Sequence, residues 1–120
     1  MTAIIPTRGL IVREPWVSLL LSGEKTWELR GSRTARRGKT ALIGSGTGTV
    51  LGEADLIDVV GPLSRADIGV SVDRHRVVRD WKTEAMPYAN TYAWVFERPS
   101  RYPIARPYAH PPGAVIWVKL

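Results

Sequence analysis

Gly23-Glu24-Lys25-Thr26-Trp27-Glu28-Leu29-Arg30 sets a lysine, a glutamate and an arginine in the pattern G-x-K-x-x-E-x-R. Immediately upstream, Leu10-Ile11-Val12 reads as a buried strand. Pro15-Trp16-Val17-Ser18-Leu19-Leu20-Leu21 reads as a short apolar helix with Pro15 in its first turn, where a missing N–H costs least. Gly23 ends that helix, because glycine reaches the left-handed conformation that lets the chain reverse. The residues that follow are strand-like. Alternation along a strand puts Glu28 and Arg30 on one face and Trp27 and Leu29 on the other. Lys25 joins the charged pair only if it lies in the turn or in a bulge.

Downstream, Thr40 to Ile43 reads as a strand, Gly44 to Gly48 as a flexible turn, and Val50 to Val60 as a longer strand carrying Glu53 and Asp55 on one face. The glycine-rich turn is not the phosphate loop of nucleotide hydrolases, since no Gly-Lys-Ser/Thr closes it. Ser45 stands at a strand end, where its hydroxyl either meets a ligand or satisfies the turn. Gly61-Pro62 marks a break. Ser64 and Asp67 suggest a first helical turn, and Asp73 is placed to cap a second helix. In that helix Val77, Val78 and Trp81 face the core and Arg74, Arg76, Arg79 and Lys82 face water. His75 falls in the same helix and is not assigned to a site. Residues 86–91 form a loop, and Tyr88 and Tyr92 approach the motif only if it folds over. Tyr92 to Glu97 is a strand, residues 98–103 and 106–112 are proline-rich surface connections, and Ala114 to Lys119 is the closing strand.

The chain has 120 residues, 44% of them hydrophobic, which is the size of one domain spanning 1–120. No apolar run approaches the roughly 20 residues that cross a bilayer, and no leader pattern opens the chain, so a soluble cytoplasmic protein without membrane partners is expected. With no cysteine, thiolate catalysis and cysteine-ligated metals are excluded. His75 and His110 lie far apart without a neighbouring ligand set, so neither a metal nor a cofactor is expected. A net charge of +6 and a pI near 10.2 favour anionic partners. Arg30, Arg33, Arg36, Arg37 and Lys39 crowd the segment after the motif, either as a phosphate-facing loop or as a solvated connection.

The motif, the preceding Glu14-Pro15-Trp16 and the apolar helix together resemble the ASCH family, the activating signal cointegrator homology domains. The similarity continues through Thr40-Ala41-Leu42-Ile43-Gly44-Ser45, Leu51-Gly52-Glu53-Ala54-Asp55-Leu56, Tyr92-Ala93-Trp94-Val95-Phe96-Glu97 and Gly113-Ala114-Val115-Ile116-Trp117-Val118. The resemblance implies an α+β fold: a PUA-like β-barrel of about five to six strands with flanking helices. It also implies a cleft beside the motif that handles RNA, nucleotides or modified nucleosides.

Some compact ASCH proteins that this chain resembles in motif and size release cytidine and a carboxylic acid from N4-acylcytidines. The resemblance therefore implies amide hydrolysis, with Lys25, Glu28 and Arg30 as the catalytic residues. Lys25, its pKa lowered by burial and by Arg30, serves as a neutral base; Glu28 positions it or helps activate the attacking water; Arg30 holds the carboxylate or stabilises charge. Trp16 is either the candidate base-stacking surface or a core residue, with Ser45 and Glu53 as further candidate substrate contacts. Arg33, Arg36, Arg37 and Lys39 are the candidate nucleic-acid contacts. One departure is plain: the small bacterial amidohydrolases can carry a threonine three residues after the lysine, where this chain has Glu28, so no hydroxyl nucleophile stands there. A further catalytic carboxylate has no motif-anchored match, leaving Glu53, Asp80 and Glu84 open. An RNA-binding module and a ribonuclease are the alternatives. Taken without the resemblance, Glu28 and Arg30 read as an exposed cross-strand pair beside a solvated Lys25.

Overall fold

A computed structural model describes residues 6–120. Its strands are β1 (Arg8–Val12), β2 (Trp27–Arg30), β3 (Gly38–Gly44), β4 (Thr49–Val60), β5 (Tyr92–Pro107) and β6 (Trp117–Lys119). Helix α1 (Trp16–Ser22) joins β1 to β2, and α2 (Arg65–Val70) and α3 (Val72–His75) lie between β4 and β5. All six strands form one sheet in the order β2-β5-β4-β3-β1-β6. The β1/β3 pair is parallel and the other neighbours are antiparallel.

The sheet curls into a half-barrel. Trp94 of β5 stacks on Trp117 of β6, ring centroids 5.7 Å apart, although three strands separate β5 from β6 in the sheet order. Arg30 Nη2, on β2, donates to the Ile11 carbonyl of β1 at 2.8 Å across the same opening. The expected α+β, PUA-like architecture is thus present, as a curled sheet with three short helices.

Strand alternation sorts the core. On β3, Leu42 packs with the α1 residues Val17, Leu20 and Leu21, while its neighbours Ala41 and Ile43 pack on the other face with Val50 and Val118. On β5, Trp94 and Phe96 join the α1 cluster and Ala93 points to Leu29, Leu63, Ile68 and Trp81. Opposite Ala93 in register is Leu29, and opposite Trp94 is Glu28. Glu28 therefore lies on the α1 side of the sheet, as the alternation requires.

Three expectations are corrected. The helix expected from Asp73 through Trp81 is a single turn, Val72–His75, with Ser71 before it and Arg76 in the left-handed conformation at φ 63° after it. Its continuation is blocked because the Val77 N–H is taken by His75 Nδ1 at 3.0 Å. Val78 is consequently 83% exposed, whereas Trp81 still reaches the core from irregular backbone. The segment read as a proline-rich connection after Glu97 is instead the second half of β5. β2 pairs with β5 only as far as Val95, so the later part of β5 has a free edge, and Pro99 and Pro103 fall within its register shifts against β4. The closing strand is shorter than expected, Trp117–Lys119.

Gly52 sits where β4, β5 and α1 converge. A Cβ there would overlap the Ser100 carbonyl oxygen and lie 2.6 Å from Leu21 Cδ2 and 2.9 Å from Arg101 Cα. Replacing Gly52 by alanine is expected to destabilise the fold by about 1–3 kcal/mol, read from urea unfolding, because two of the three neighbours are backbone atoms that cannot swing aside.

Candidate functional site

Lys25 is brought inside by the backbone on either side of it. α1 ends at Gly23, whose φ is +83°, and the chain turns so that the Lys25 N–H bonds the Leu19 carbonyl at 3.0 Å. Thr26 then donates to Arg74 O at 2.9 Å and accepts from Phe96 N at 2.8 Å, while Arg76 Nε clamps the Glu24 carbonyl at 2.8 Å. Held between α1, α3 and β5, the lysine side chain is only 1% exposed. This turn placement meets the condition for Lys25 to join the strand pair.

The three charges form a short chain. Glu28 Oε1 lies 3.4 Å from Lys25 Nζ, and Glu28 Oε2 accepts from Arg30 Nε at 3.2 Å and Nη2 at 3.0 Å. Lys25 Nζ also donates to the His75 carbonyl at 2.5 Å and stands 4.9 Å from the Trp16 ring centroid. Burial pushes the Lys25 pKa below the ordinary lysine value; Glu28 opposes the shift and Arg30 adds to it. The Arg30 guanidinium lies over the Trp94 ring, 5.6 Å from its centroid.

His75 is fully buried and neutral. Its Nδ1 accepts the Val77 N–H, which leaves Nε2 to carry the proton and donate to Ile68 O at 2.9 Å. Burial lowers its pKa, against the Ile68 bond and with the help of Lys25. The imidazole therefore fixes the α3 terminus whose carbonyl receives Lys25.

A cleft of about 460 Å³ opens over this array. Trp16, Lys25, Glu28, Arg30 and Ser45, all predicted site residues, line it together. Tyr88 also lines it, so the loop before β5 does reach the motif, whereas Tyr92 lies outside under the Arg33 guanidinium. Glu53 is placed elsewhere: it faces Lys39 at 3.8 Å and accepts from Tyr102 Oη at 3.3 Å. Asp80 and Glu84 are exposed and outside the cleft. Beyond Arg30, the basic run also lies outside it. Arg33 donates to Gly61 O, Arg36 covers Trp117, Arg37 bonds the carbonyls of Thr34 and Arg36, and Lys39 pairs with Glu53.

Sequence reasoning missed two basic residues of the cleft, Arg13 and Arg79. Arg13 had a usable signal. Val12 of β1 is in parallel register with Gly44 of β3, so Arg13 and Ser45 are the first residues beyond the carboxyl ends of two adjacent parallel strands. Such ends gather ligand contacts. Arg79 had none, because the helix expected around it turned its basic residues to water. Among the described residues, no three His, Asp or Glu side chains come together as a metal site.

The ASCH domain family model matches residues 10–102. The chain belongs to the ASCH domain family. ASCH domains are PUA-like and are associated with RNA binding or hydrolase activity. Among solved structures, an ASCH protein from Zymomonas mobilis is 12% identical, with TM-score 0.69 over 94% of this chain and 86% of that one. A serine-to-alanine mutant of the Zymomonas mobilis protein gives TM-score 0.68 at 14% identity over 97% and 91% of the two chains. A tyrosine-to-phenylalanine mutant gives 0.63 at 14% identity over 94% and 88%. These likenesses establish a shared fold. No protein of curated function matches the chain. No helix among the described residues is long and apolar enough to cross a membrane.

A lowered histidine pKa ties stability to pH with a definite sign. The folded state resists protonation of His75 while the unfolded chain accepts it near the ordinary value of about 6.5. This contribution is complete above pH about 6.5 and declines as the pH falls below it. Unfolding free energies measured from pH 8 to pH 5 should fall on the acid side, and the fall should be shallower in His75→Gln, which has no imidazole to charge.

Proposed function

We propose that this ASCH protein is an amidohydrolase that deacylates N4-acylcytidine-type modified nucleosides, giving cytidine and a carboxylic acid. The observation that carries the reading is Lys25: an amine withdrawn from water, with a lowered pKa, that nonetheless lines an open cleft beside a carboxylate and an indole. A buried amine with a depressed pKa is suited to proton transfer near neutral pH.

In this mechanism the modified base lies against Trp16, with its acyl carbonyl toward Lys25. Neutral Lys25 takes a proton from a water as the water oxygen attacks the acyl carbon. Glu28, 3.4 Å away, stabilises the resulting ammonium. Arg30 is anchored through Nε and Nη2 to Glu28 and Ile11, so its Nη1 remains available to the developing oxyanion. Collapse of the tetrahedral intermediate breaks the bond from the acyl carbon to N4, and the Lys25 ammonium returns its proton to N4. Cytidine and the carboxylic acid leave, the acid losing its proton to solvent. Glu28 thereby takes the place that a hydroxyl nucleophile would occupy, and the attack is assigned to water.

The test is incubation of the protein and its Lys25→Ala variant with N4-acetylcytidine and longer N4-acyl homologues, followed by chromatography for cytidine. Cytidine is expected from the parent alone. The parent rate should rise with pH along a limb whose midpoint lies below the ordinary lysine value of about 10.4. Absence of product from every homologue, or undiminished turnover by Lys25→Ala, would overturn the proposal.

A further inference from the structure

Charge in the cleft is unbalanced. Among the described residues four basic side chains line it, Arg13, Lys25, Arg30 and Arg79, against the single carboxylate of Glu28. Lys25 and Arg30 are engaged with Glu28. Arg13 and Arg79 are not engaged with any acceptor: among the described residues neither guanidinium has a hydrogen-bond or ion-pair partner, and both are exposed. Among the described residues Arg36, Arg74 and Arg106 also rest on rings without an acceptor, but they lie away from the cleft that Arg13 and Arg79 share. Arg33, Arg37, Arg65 and Arg76 all find backbone carbonyls, and Arg98 finds two carboxylates. Arg79 lies over the Trp81 ring, 5.6 Å from its centroid, which orients the group without occupying its N–H donors.

Two donor-rich forks facing one small cleft, beyond a site that already contains its own counter-charge, fit an anion carried by the ligand. Ser45 stands beside Arg13 in register and lines both this cleft and a second hollow running over Gly46 and Gly48 toward Tyr108 and His110. Ile11 and Val115 line both hollows as well, so the second adjoins the first on the Ser45 side. Arginine is suited to phosphate because its planar fork donates two parallel hydrogen bonds.

Resting on the amidohydrolase reading, we infer that the substrate carries a phosphate group attached to the N4-acylcytidine, and that Arg13 and Arg79 bind it. The phosphate is that of a free nucleotide or of an RNA backbone; the chemistry recognised is the same. Arg13 and Arg79 are then specificity-determining residues, acting on the phosphate and not on the reacting amide.

Three substrates separate the possibilities: N4-acetylcytidine, its 5′-monophosphate, and a short oligoribonucleotide with one internal N4-acetylcytidine. The parent protein should give a higher kcat/KM on at least one phosphorylated substrate than on the nucleoside, with the advantage shrinking as salt rises. If it favours the monophosphate the source is a free nucleotide, and if the oligomer, RNA. Arg13→Gln and Arg79→Gln should each reduce the ratio of phosphorylated to nucleoside kcat/KM by about ten- to a hundredfold, as expected for lost charge-assisted hydrogen bonds. Equal kcat/KM on all three substrates, or variants that leave the ratio unchanged, would overturn the inference while the amidohydrolase reading stands. Titration of Lys25→Ala with cytidine and with cytidine 5′-monophosphate, followed by tryptophan fluorescence, tests binding without chemistry. Tighter binding of the monophosphate that Arg13→Gln abolishes would uphold the phosphate site even if no substrate were turned over. Equal binding of the two would reject it.

Discussion

A single nitrogen, Arg30 Nη2, touches two oxygens that belong to different parts of the fold. One is Glu28 Oε2 at 3.0 Å and the other is the Ile11 carbonyl at 2.8 Å. The first contact fixes the carboxylate of the site; the second draws β2, at one edge of the sheet, against β1, beside the other edge. The curl of the half-barrel and the orientation of Glu28 thus share one guanidinium. Lysine in that position would offer a rotating ammonium without the fixed fork, and the two tasks would no longer be locked together. Trp94 supports the arrangement from below, stacked on Trp117 and bonded through Nε1 to Ser32 O at 2.9 Å.

Burying Lys25 sets stability against chemistry. Withdrawing an ammonium from water is costly, and the compensation is assembled from three sources: the Glu28 carboxylate, the His75 carbonyl and the face of Trp16. None of the three restores bulk hydration, which is why the amine loses its proton more readily than an exposed lysine. The neutral His75 imidazole holds the carbonyl in place without adding another positive charge beside the amine. A protonated imidazole there would disrupt both the α3 terminus and the electrostatics of the lysine.

Much of this was legible in the sequence wherever geometry is local. Gly23, the alternation of Glu28 and Arg30, and the apolar helix holding Trp16 together place the array, because each depends on residues adjacent in the chain. Failures occurred where a distant group decides the outcome. Asp73 and the apolar spacing of Val77 and Trp81 suggest a helix, yet the His75 ring captures the N–H on which its next turn depends. The partner of Lys25 is a backbone carbonyl, which has no residue type to betray it. Glu53 has no motif to anchor it, and on β4, opposite Ala41, it faces Lys39 instead of the cleft. Clustering of Arg33, Arg36, Arg37 and Lys39 in sequence did not become clustering in space, since each finds its own nearby acceptor or ring.

The second half of β5 has a further consequence for how the protein behaves among copies of itself. Beyond Val95 this sixteen-residue strand has one side unpaired among the described residues, and such an edge is ordinarily a template on which other chains add strands and aggregate. Here Pro99, Pro103 and Pro107 offer no N–H, and the register shifts around Arg98 and between Arg101 and Arg106 break the line of the strand. What remains are lengths too short and too bent to recruit a neighbour, so the half-barrel extends a long arm without inviting fibrillar growth along it.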